Sequence, residues 1–534
     1  MTRRSLLKMA GAAAVAQAGS ATAQPAASAP AVAPFNPAEA TVAELQAAMT
    51  AGSRTAVSIA QDYLGRIDAV DRAGPAINAM IELNPDALAI AEALDRERKD
   101  KGARGPLHGI PVVLKDNVDT ADRMRTSAGS LALADHVAAQ DAFVVARLRA
   151  AGCVILGKTN LSEWANYRGA RSTSGWSARG GQTRNPHALD RSPSGSSSGS
   201  AAAVAADLAA IAVGTETDGS IVSPSSICGI VGVKPTVGLV SRTGIVPISR
   251  SQDTAGPMAR TVADAAVLLG AMTGVDPRDA ATKASRGKAH ADYTKFLDPA
   301  GLKGARIGVA REFFGANDHV DRVIEEALDA MRAAGAVIVD PVEIRHADML
   351  GPSEVEVLLY EYKTDLDAYL RGAGPGAAVH SVAELIEFNA RNAAREMPYF
   401  GQEFLFEAQK KGPLTDAAYR RAVAHNRKVS RVEGIDATLA RHRLDAIVAP
   451  TNSPAWPIDY ANGDHYRGSC SRPAAVAGYP HITVPAGFAF GLPIGVSFFA
   501  SAFGEPTLIR LAFAYEQATK ARRPPRFLAT APTG

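Results

Sequence analysis

A serine-rich loop is the first candidate for chemistry in this sequence. Residues 194–200 read Ser-Gly-Ser-Ser-Ser-Gly-Ser and lead into an alanine-rich stretch that is predicted to be helical. The first N–H groups of a helix have no partner inside it, so a Gly/Ser loop at this place gathers free backbone donors. Such donors suit an anion, or the oxyanion that develops when a nucleophile attacks a carbonyl group.

Four interpretations of this loop are open. The first is a flexible connection, which the composition alone favours. The second is a phosphate cradle, but no Lys-Ser or Lys-Thr follows the last glycine, as a P-loop requires. The third is a nucleophile elbow, because residues 195–199 fit G-x-S-x-G; it requires a downstream acid and then one of the histidines between His290 and His481. The fourth is a catalytic loop that is completed by a partner elsewhere in the chain.

Two other segments offer that partner. Residues 214–220 follow a predicted strand, and Asp218-Gly219-Ser220, with Pro224 beyond, predicts a tight turn into a helix that exposes a serine hydroxyl. Lys115 ends the apolar run 110–114. Burial pushes a lysine toward its neutral form, which is a competent general base. Taken alone, each segment also has an ordinary interpretation, as a surface turn and a solvated lysine.

These segments need a scaffold of alternating strands and helices. Thr41 and Glu44 predict a capping box at the start of a helix, and helical spacing recurs over 56–70, 141–151 and 200–210. Strands separated by such helices are typical of a mainly parallel sheet that is covered on both faces. Residues 350–443 are predicted to be largely helical. The predicted strands are 111–114, 153–156, 211–213, 306–309, 336–339, 446–449, 482–484 and 494–499.

Taken together, the segments resemble the amidase signature family, and within it the peptide amidase branch. The resemblance runs from about Phe35 to Phe527, and so many motifs in one order make it specific. It implies an α/β fold in which a large mixed β-sheet is flanked by helices on both faces. The matching motifs are Leu114–Asn117, Gly157–Trp164, Gly180–Pro186, the serine loop, Gly214–Ser220, Gly232–Thr236, Gln252–Met258 and Gly491–Gly495.

The resemblance also implies the catalytic residues. It makes Ser220 the nucleophile, Ser196 the bridging serine and Lys115 the base. It further implies a cis peptide bond between Gly195 and Ser196. The choice of Ser196 among the serines of the loop comes from the resemblance alone.

An oxyanion-binding segment is implied beside the nucleophile. The oxyanion would lie on backbone N–H groups from Thr217 to Ser220, so Thr217, Asp218 and Gly219 are the expected oxyanion and substrate-binding residues. Many members of the family have Gly-Gly-Ser where this chain has Asp218-Gly219-Ser220. The Asp form resembles the peptide amidase branch.

The implied activity is hydrolysis of a carboxamide C–N bond, with release of ammonia through an acyl-enzyme on Ser220. The peptide amidase branch indicates the C-terminal amides of peptides as substrates, and pocket residues between 350 and 480 are expected to set the choice. The alternatives are another amide class (aliphatic, aryl or fatty-acid), an α/β-hydrolase esterase and a tRNA-dependent amidotransferase subunit. No cofactor or metal is expected, because the histidines show no H-E-x-x-H motif and no clustered spacing.

Composition excludes several other classes of protein. The 534 residues include 57 Lys and Arg against 54 Asp and Glu. The whole excess lies in Arg3, Arg4 and Lys8, because residues 1–23 contain no acid. A basic nucleic-acid-binding surface therefore has no support. Three cysteines in so long a chain argue against a disulfide framework.

The N-terminus has the pattern of an export signal. Paired arginines precede a mildly apolar run and the small-x-small pattern Ala21-Thr22-Ala23, which resembles a twin-arginine signal over residues 1–23. A Pro/Ala-rich linker is predicted over 24–34 and one catalytic domain over 35–530. We therefore expect a periplasmic or secreted protein that the export machinery recognises and that has no stable membrane anchor.

Overall fold

The computed structural model describes residues 39–374 and 376–532, all within one compact unit. The predicted signal segment 1–23, the predicted linker 24–34 and the first residues of the predicted catalytic domain lie outside the described residues. The capping box is present: Thr41 Oγ1 accepts from Glu44 N (3.2 Å), and the Glu44 carboxylate accepts from Thr41 N (2.8 Å). No helix of the described part is both long and apolar enough to span a membrane.

Strands and helices alternate over most of the described chain. The strands are β1 (Met80–Leu83), β2 (Pro111–Lys115), β3 (Val154–Thr159), β4 (Trp176–Ser177), β5 (Gly181–Gln182), β6 (Ile211–Glu216), β7 (Val231–Lys234), β8 (Thr254–Ala259), β9 (Arg306–Ala310), β10 (Val337–Val342), β11 (Ala446–Pro450), β12 (His481–Ala489) and β13 (Leu492–Phe499). The α-helices are α1 (Val42–Thr50), α2 (Ala56–Arg66), α3 (Ala87–Lys101), α4 (Phe143–Ala150), α5 (Ser198–Ala205), α6 (Val222–Ile227), α7 (Val262–Met272), α8 (Asp318–Ala333), α9 (Leu350–Gly372), α10 (Val382–Arg391), α11 (Ala393–Glu396), α12 (Glu403–Gln409), α13 (Ala417–Arg427), α14 (Asp436–His442), α15 (Ser471–Ala477) and α16 (Glu505–Thr519).

Eleven of the described strands form one mixed sheet, in the order β1-β3-β2-β6-β8-β7-β12-β13-β11-β9-β10. The pairs β2–β3, β2–β6, β9–β11 and β9–β10 are parallel, and the other six are antiparallel. The prediction of a mainly parallel sheet is therefore wrong. The large mixed sheet that the resemblance implies is confirmed.

Three of the strands that make the sheet mixed were not predicted, namely β1, β7 and β8. The sequence of β8, Thr-Ala-Gly-Pro-Met-Ala, contains both glycine and proline, and every residue of it is buried. Gly and Pro are poor strand formers, and a strand that is buried on both faces does not alternate between polar and apolar residues. The local sequence of β8 therefore has neither the residue preference nor the polar/apolar alternation that would predict a strand.

The parallel centre of the sheet brings two chemically important strand ends together. β2 and β6 are neighbours, with Leu114 opposite Val213, so the next residues of the two strands lie at the same edge. Lys115 ends β2. The segment after β6 turns through Ser220 into α6, as the Asp-Gly-Ser pattern predicts.

The region 350–443 is largely helical, as predicted, and contains α9–α14. Leu358, Tyr362 and Leu366 of α9 belong to a buried cluster that also includes Trp164, which lies beyond the end of β3. The Glu396 carboxylate accepts hydrogen bonds from Leu131 N (2.7 Å) and from the Ser130 hydroxyl (3.1 Å). The helical region is therefore fixed to the loops that follow the central strands.

Candidate active site

Lys115 is fully buried at the end of β2, with an exposed fraction of 0%. Its Nζ lies 2.7 Å from Ser196 Oγ, 2.8 Å from Thr215 Oγ1 and 3.3 Å from Thr215 O. Burial lowers the pKa of Lys115 to about 7, although the Asp253 and Glu216 carboxylates act in the opposite direction. A substantial fraction of this lysine is therefore neutral near pH 7.

The partners of Lys115 determine where its lone pair points in the neutral form. A neutral amine has two N–H groups and one lone pair. The carbonyl oxygen of Thr215 can only accept, and Thr215 Oγ1, which also accepts from Asn117 Nδ2 (3.0 Å), is the second acceptor. The lone pair of Lys115 is then directed at the Ser196 hydroxyl.

The serine loop is buried and its side chains are hydrogen-bonded, which argues against the interpretation as a flexible connection. Its serine side chains are at most 2% exposed. Apart from Ser196, each hydroxyl has a structural partner. The contacts are Ser194 Oγ with Ser223 Oγ (2.7 Å), Ser197 Oγ with Thr215 O (2.9 Å), Ser198 Oγ with Ser194 O (2.6 Å) and Ser200 Oγ with Thr159 Oγ1 (2.8 Å). Ser196 alone among them contacts a titratable group, and its bond with Gly195 is cis, as implied.

Ser220 lies in a turn that the side chain of Glu216 stabilises. Glu216 accepts from Ile221 N (2.8 Å) and Val222 N (3.0 Å), and Gly219 has a left-handed φ of 77° that favours glycine. Within residues 39–374 and 376–532, the N–H groups of Thr217, Asp218, Gly219 and Ser220 donate to no protein acceptor. The turn therefore presents four free donors beside a serine hydroxyl.

Ser196 and Ser220 are neighbours without a direct side-chain hydrogen bond. Ser197 N donates to Ser220 O (3.2 Å), and this contact holds the serine loop against the Ser220 turn. The described residues show no hydrogen bond between the Ser196 and Ser220 hydroxyls. In apo structures catalytic hydrogen bonds are often longer than in the substrate complex.

Thr217 and Asp218 are held by groups from other parts of the fold. Thr217 Oγ1 donates to the Asp253 carboxylate (2.6 Å), and Thr217 O accepts from Gln252 Nε2 (3.2 Å). Asp218 accepts from the Ser471 hydroxyl (2.5 Å). Its side chain is thus bound to α15, while its backbone N–H stays free.

A cavity of about 660 Å³ opens above this turn and reaches Ser220. The lining comes from three parts of the chain, and only the last of them falls within the predicted range 350–480. The lining residues are Asn166, Gly169, Ala170, Arg171, Ser172, Ser174, Ser194, Gly195, Asp218, Gly219, Ser220, Ser223, Phe404, Trp456, Asn462, Asp464, Tyr466, Ser469, Ser471 and Arg472.

Several residues of the site were missed by sequence reasoning. Thr215 binds Lys115, and the side chains of Glu216 and Asp253 accept hydrogen bonds from the Ser220 turn and from Thr217. Sequence reasoning recognised the motifs that contain these residues but not these roles. The register of two parallel strands could have found Thr215, because Leu114, which precedes Lys115, pairs with Val213, two residues before Thr215. The loop 166–174 offered no such signal, since it contains neither periodicity nor a titratable cluster.

The nucleophile-elbow interpretation fails on geometry. His481 is fully buried on β12, where Nε2 lies 2.6 Å from Ser497 Oγ. Among the described residues, no histidine forms a hydrogen bond with Ser196, Ser197 or Ser220. The described residues also contain no cluster of three or more His, Cys, Asp or Glu side chains that fits a metal ion.

Comparison with known proteins identifies the family. The profile of the Amidase family matches residues 58–509. The chain belongs to the amidase signature family. It is therefore a hydrolytic amidase, and the resemblance stated above from its motifs is confirmed.

The relatives of this amidase include both hydrolases and a component of a larger enzyme. The crystal structure of native peptide amidase from Stenotrophomonas maltophilia is 55% identical, with a TM-score of 0.88, over 92% of this chain and 100% of that chain. A probable amidase from Arabidopsis thaliana is 41% identical over 93% of each protein. A glutamyl-tRNA(Gln) amidotransferase subunit from Thioalkalivibrio sulfidiphilus is 35% identical over 90% of this chain and 97% of that protein.

Proposed function

We propose that this amidase hydrolyses the C-terminal carboxamide of peptides through an acyl-enzyme on Ser220, with Ser196 as proton relay and Lys115 as base. One observation carries the proposal: a fully buried lysine with a pKa of about 7 contacts Ser196 at 2.7 Å, beside the turn that holds Ser220. A serine hydroxyl needs such a base to become a nucleophile.

The proton path follows from the contacts of Lys115. Its lone pair takes the proton of Ser196, and Ser196 takes the proton of Ser220 as Ser220 Oγ attacks the amide carbon. The developing oxyanion accepts from free backbone N–H groups in the segment from Thr217 to Ser220. Each such donor is typically worth about 3–4 kcal/mol in the transition state.

The second half of the reaction reverses the relay. The proton returns through Ser196 to the amide nitrogen, the C–N bond breaks, and ammonia leaves an ester on Ser220. Water then attacks this ester and gives its proton through Ser196 to the neutral Lys115. The proton returns through Ser196 to Ser220 Oγ as the ester C–O bond breaks, and the carboxylic acid leaves the free enzyme. No step of this mechanism requires a metal ion or a cofactor.

The substrate assignment rests on the relative and on the cavity. The Stenotrophomonas protein named above is a peptide amidase, and this chain shares the Asp-Gly-Ser form that resembles that branch. A cavity of about 660 Å³ is within the usual range for small-molecule sites and fits a dipeptide amide. Its lining combines hydroxyl, amide and aromatic side chains, which can bind both a peptide backbone and a side chain.

A substrate panel tests this assignment. We expect kcat/KM for ammonia release from an amidated dipeptide to exceed that for propionamide, benzamide and oleamide by at least about tenfold, because only the peptide fills the polar cavity. Ser220→Ala gives the background rate. Faster release from benzamide or oleamide would assign the enzyme to another amide class and leave the Ser220 mechanism intact.

The pH dependence of the reaction is set by Lys115. Its pKa in the folded protein is lowered to about 7, so the base is protonated and inactive below that pH and neutral above it. We expect kcat/KM for an amidated dipeptide to fall about tenfold per pH unit below pH 7 and to reach a plateau above it. A profile that is flat between pH 5 and 9 would contradict this assignment.

Export through a twin-arginine signal is part of the same proposal. We expect the protein from a periplasmic extract to begin near Gln24, after the small-x-small pattern at residues 21–23. Replacing Arg3 and Arg4 by lysine should retain the charge and block export. N-terminal sequencing of the secreted protein decides the point, and a sequence that starts at Met1 would overturn it.

A further inference from the structure

A second cavity of about 420 Å³ lies between α13, α15 and the segment that precedes β8. It shares no lining residue with the catalytic cavity. Gln252 lines it and separates it from the catalytic turn, because Gln252 Nε2 donates to Thr217 O (3.2 Å) and to Glu354 Oε1 (2.9 Å). The cavity is therefore distinct from the active site and adjacent to it.

The charged side chains that line this second cavity are all positive. Its lining contains four arginines, Arg242, Arg250, Arg427 and Arg431, and no carboxylate or lysine. Acids outside the lining neutralise two of them. Arg242 is paired in bidentate form with Asp279, with Nε–Oδ2 at 2.8 Å and Nη2–Oδ1 at 2.6 Å. Arg250 is paired with Asp365, with Nε–Oδ1 at 3.0 Å.

The other two guanidinium groups have no carboxylate partner. Within the described residues, neither Arg427 nor Arg431 lies within 4.0 Å of an acidic oxygen. Asp436 attracts Arg431 from beyond that distance, but its oxygens accept from Tyr479 Oη (2.7 Å) and Ser501 Oγ (2.6 Å). Burial lowers the pKa of Arg431, and the positive charge of Arg427 lowers it further.

The side chain of Arg431 is fixed by two contacts with the protein. Its Nε donates to Ala477 O (2.8 Å), and its guanidinium group lies over the Tyr479 ring at 5.5 Å from the centroid. The two terminal nitrogens donate to no acceptor in the described part of the chain. A fixed guanidinium group with both terminal nitrogens free is the geometry that binds a carboxylate or phosphate in bidentate form.

The rest of the lining limits the kind of anion. Most of the lining beside the arginines is apolar or aromatic, and includes Val237, Val357, Val423, Tyr479 and Phe503. A hydrated inorganic ion would leave these surfaces without a partner. An organic anion would bury an apolar body against them and present its charge to the two arginines.

We propose that this cavity is a second binding site, specific for a small organic carboxylate with an apolar body, which Arg427 and Arg431 bind. The proposal is independent of the mechanism at Ser220, because neither Arg427 nor Arg431 takes part in it.

Calorimetric titration with 3-phenylpropanoate tests the site, with 3-phenylpropanol as the neutral probe of the same shape. We expect the carboxylate to bind the wild-type protein at least about tenfold more tightly than the alcohol, since hydrogen bonds to charged groups contribute most. The double variant Arg427→Gln/Arg431→Gln should lose about tenfold in affinity for the carboxylate. The matched control, Arg420→Gln/Arg421→Gln on α13, removes the same charge outside the cavity and should bind as the wild type does.

Two further measurements keep the result interpretable. Ammonia release from an amidated dipeptide should be unchanged in the cavity variant, and its thermal transition should stay cooperative although the Arg431–Ala477 hydrogen bond is lost. Both results show that the variant is folded. A crystal soaked with 3-(4-bromophenyl)propanoate should show anomalous density between Arg427 and Arg431. Equal binding of carboxylate and alcohol, or equal carboxylate affinity in the wild type and the cavity variant, would overturn the proposal, as would density only in the catalytic cavity.

Discussion

Ser220→Ala is expected to lower kcat for ammonia release by about 10⁴- to 10⁶-fold while the fold is retained. Removal of the nucleophile of a covalent mechanism costs rates of this order, and the residual rate comes from binding and oxyanion stabilisation. Ser220 is 9% exposed and its side chain makes no hydrogen bond in the described residues, so its loss leaves no buried partner unsatisfied. Circular dichroism and thermal melting should match those of the wild type.

Ser225→Ala is the matched control for this variant. Ser225 lies on α6, five residues after Ser220, and its hydroxyl is buried without a hydrogen-bond partner. This hydroxyl forms no hydrogen bond with Lys115 or with the Ser220 turn, so its loss should change kcat by no more than about threefold. A similar loss of activity in both variants would indicate damage to α6 rather than removal of a nucleophile.

Lys115→Met is expected to lower kcat by about 10³- to 10⁴-fold and to abolish the inflection near pH 7 in the remaining activity. Methionine has a similar length and is apolar, so it removes the base and also removes the cost of a buried amine. Thr215 Oγ1 keeps Asn117 as a donor, and Thr215 O keeps Ser197. The buried Ser196 hydroxyl loses its partner, which offsets part of this gain, so the melting temperature should be close to that of the wild type.

Lys158→Met is a control that distinguishes the loss of the proposed base from the loss of a buried lysine in general. Lys158 is as deeply buried as Lys115, but its Nζ donates to Val118 O (2.8 Å), Arg125 O (3.0 Å) and Thr126 Oγ1 (3.0 Å). Its loss removes a donor from each of these acceptors and should lower the free energy of unfolding by about 1–3 kcal/mol. Its pH profile should keep the inflection. If instead Lys158→Met removed the inflection and Lys115→Met kept it, the assignment of the base would be wrong.

The elements around the site follow from the sequence more clearly than the sheet does. Short buried runs before Lys115 and before residue 214 predict strands β2 and β6, and Asp218-Gly219-Ser220 predicts the turn. The parallel register of these two strands then brings Lys115 to the serine loop. The antiparallel strands β7 and β8 have no comparable signal, because their glycines and proline suit close packing in the sheet and not a local strand preference.

Local sequence does not show which serine of the loop contacts Lys115. Five serines between 194 and 200 have the same chemistry, and only the family resemblance selected Ser196. The structure supplies the physical reason: the hydroxyls of Ser194, Ser197, Ser198 and Ser200 bind other serine, threonine or backbone groups, and that of Ser196 contacts the lysine. This distinction depends on partners up to 100 residues away, such as Thr215 for Lys115.

The catalytic cavity was predicted only in part. Its wall between Phe404 and Arg472 lies within the range 350–480, but the loop 166–174 contributes as well. The two walls are joined by Asp464, which accepts from Ser174 N (2.9 Å) and Trp456 Nε1 (2.9 Å). Contacts between distant loops have no periodic pattern in sequence, so the substrate side of the site required the structure.

The most direct test of the proposed mechanism is to trap the covalent intermediate. Wild-type protein mixed with the p-nitrophenyl ester of an N-acetylated dipeptide and quenched with acid within milliseconds should gain the mass of one acyl group, located on Ser220 by peptide mapping. Ser220→Ala should gain none, and Lys115→Met should acylate far more slowly at the same residue. An acyl group on another residue, or full turnover of the ester without any acylated protein, would contradict the mechanism.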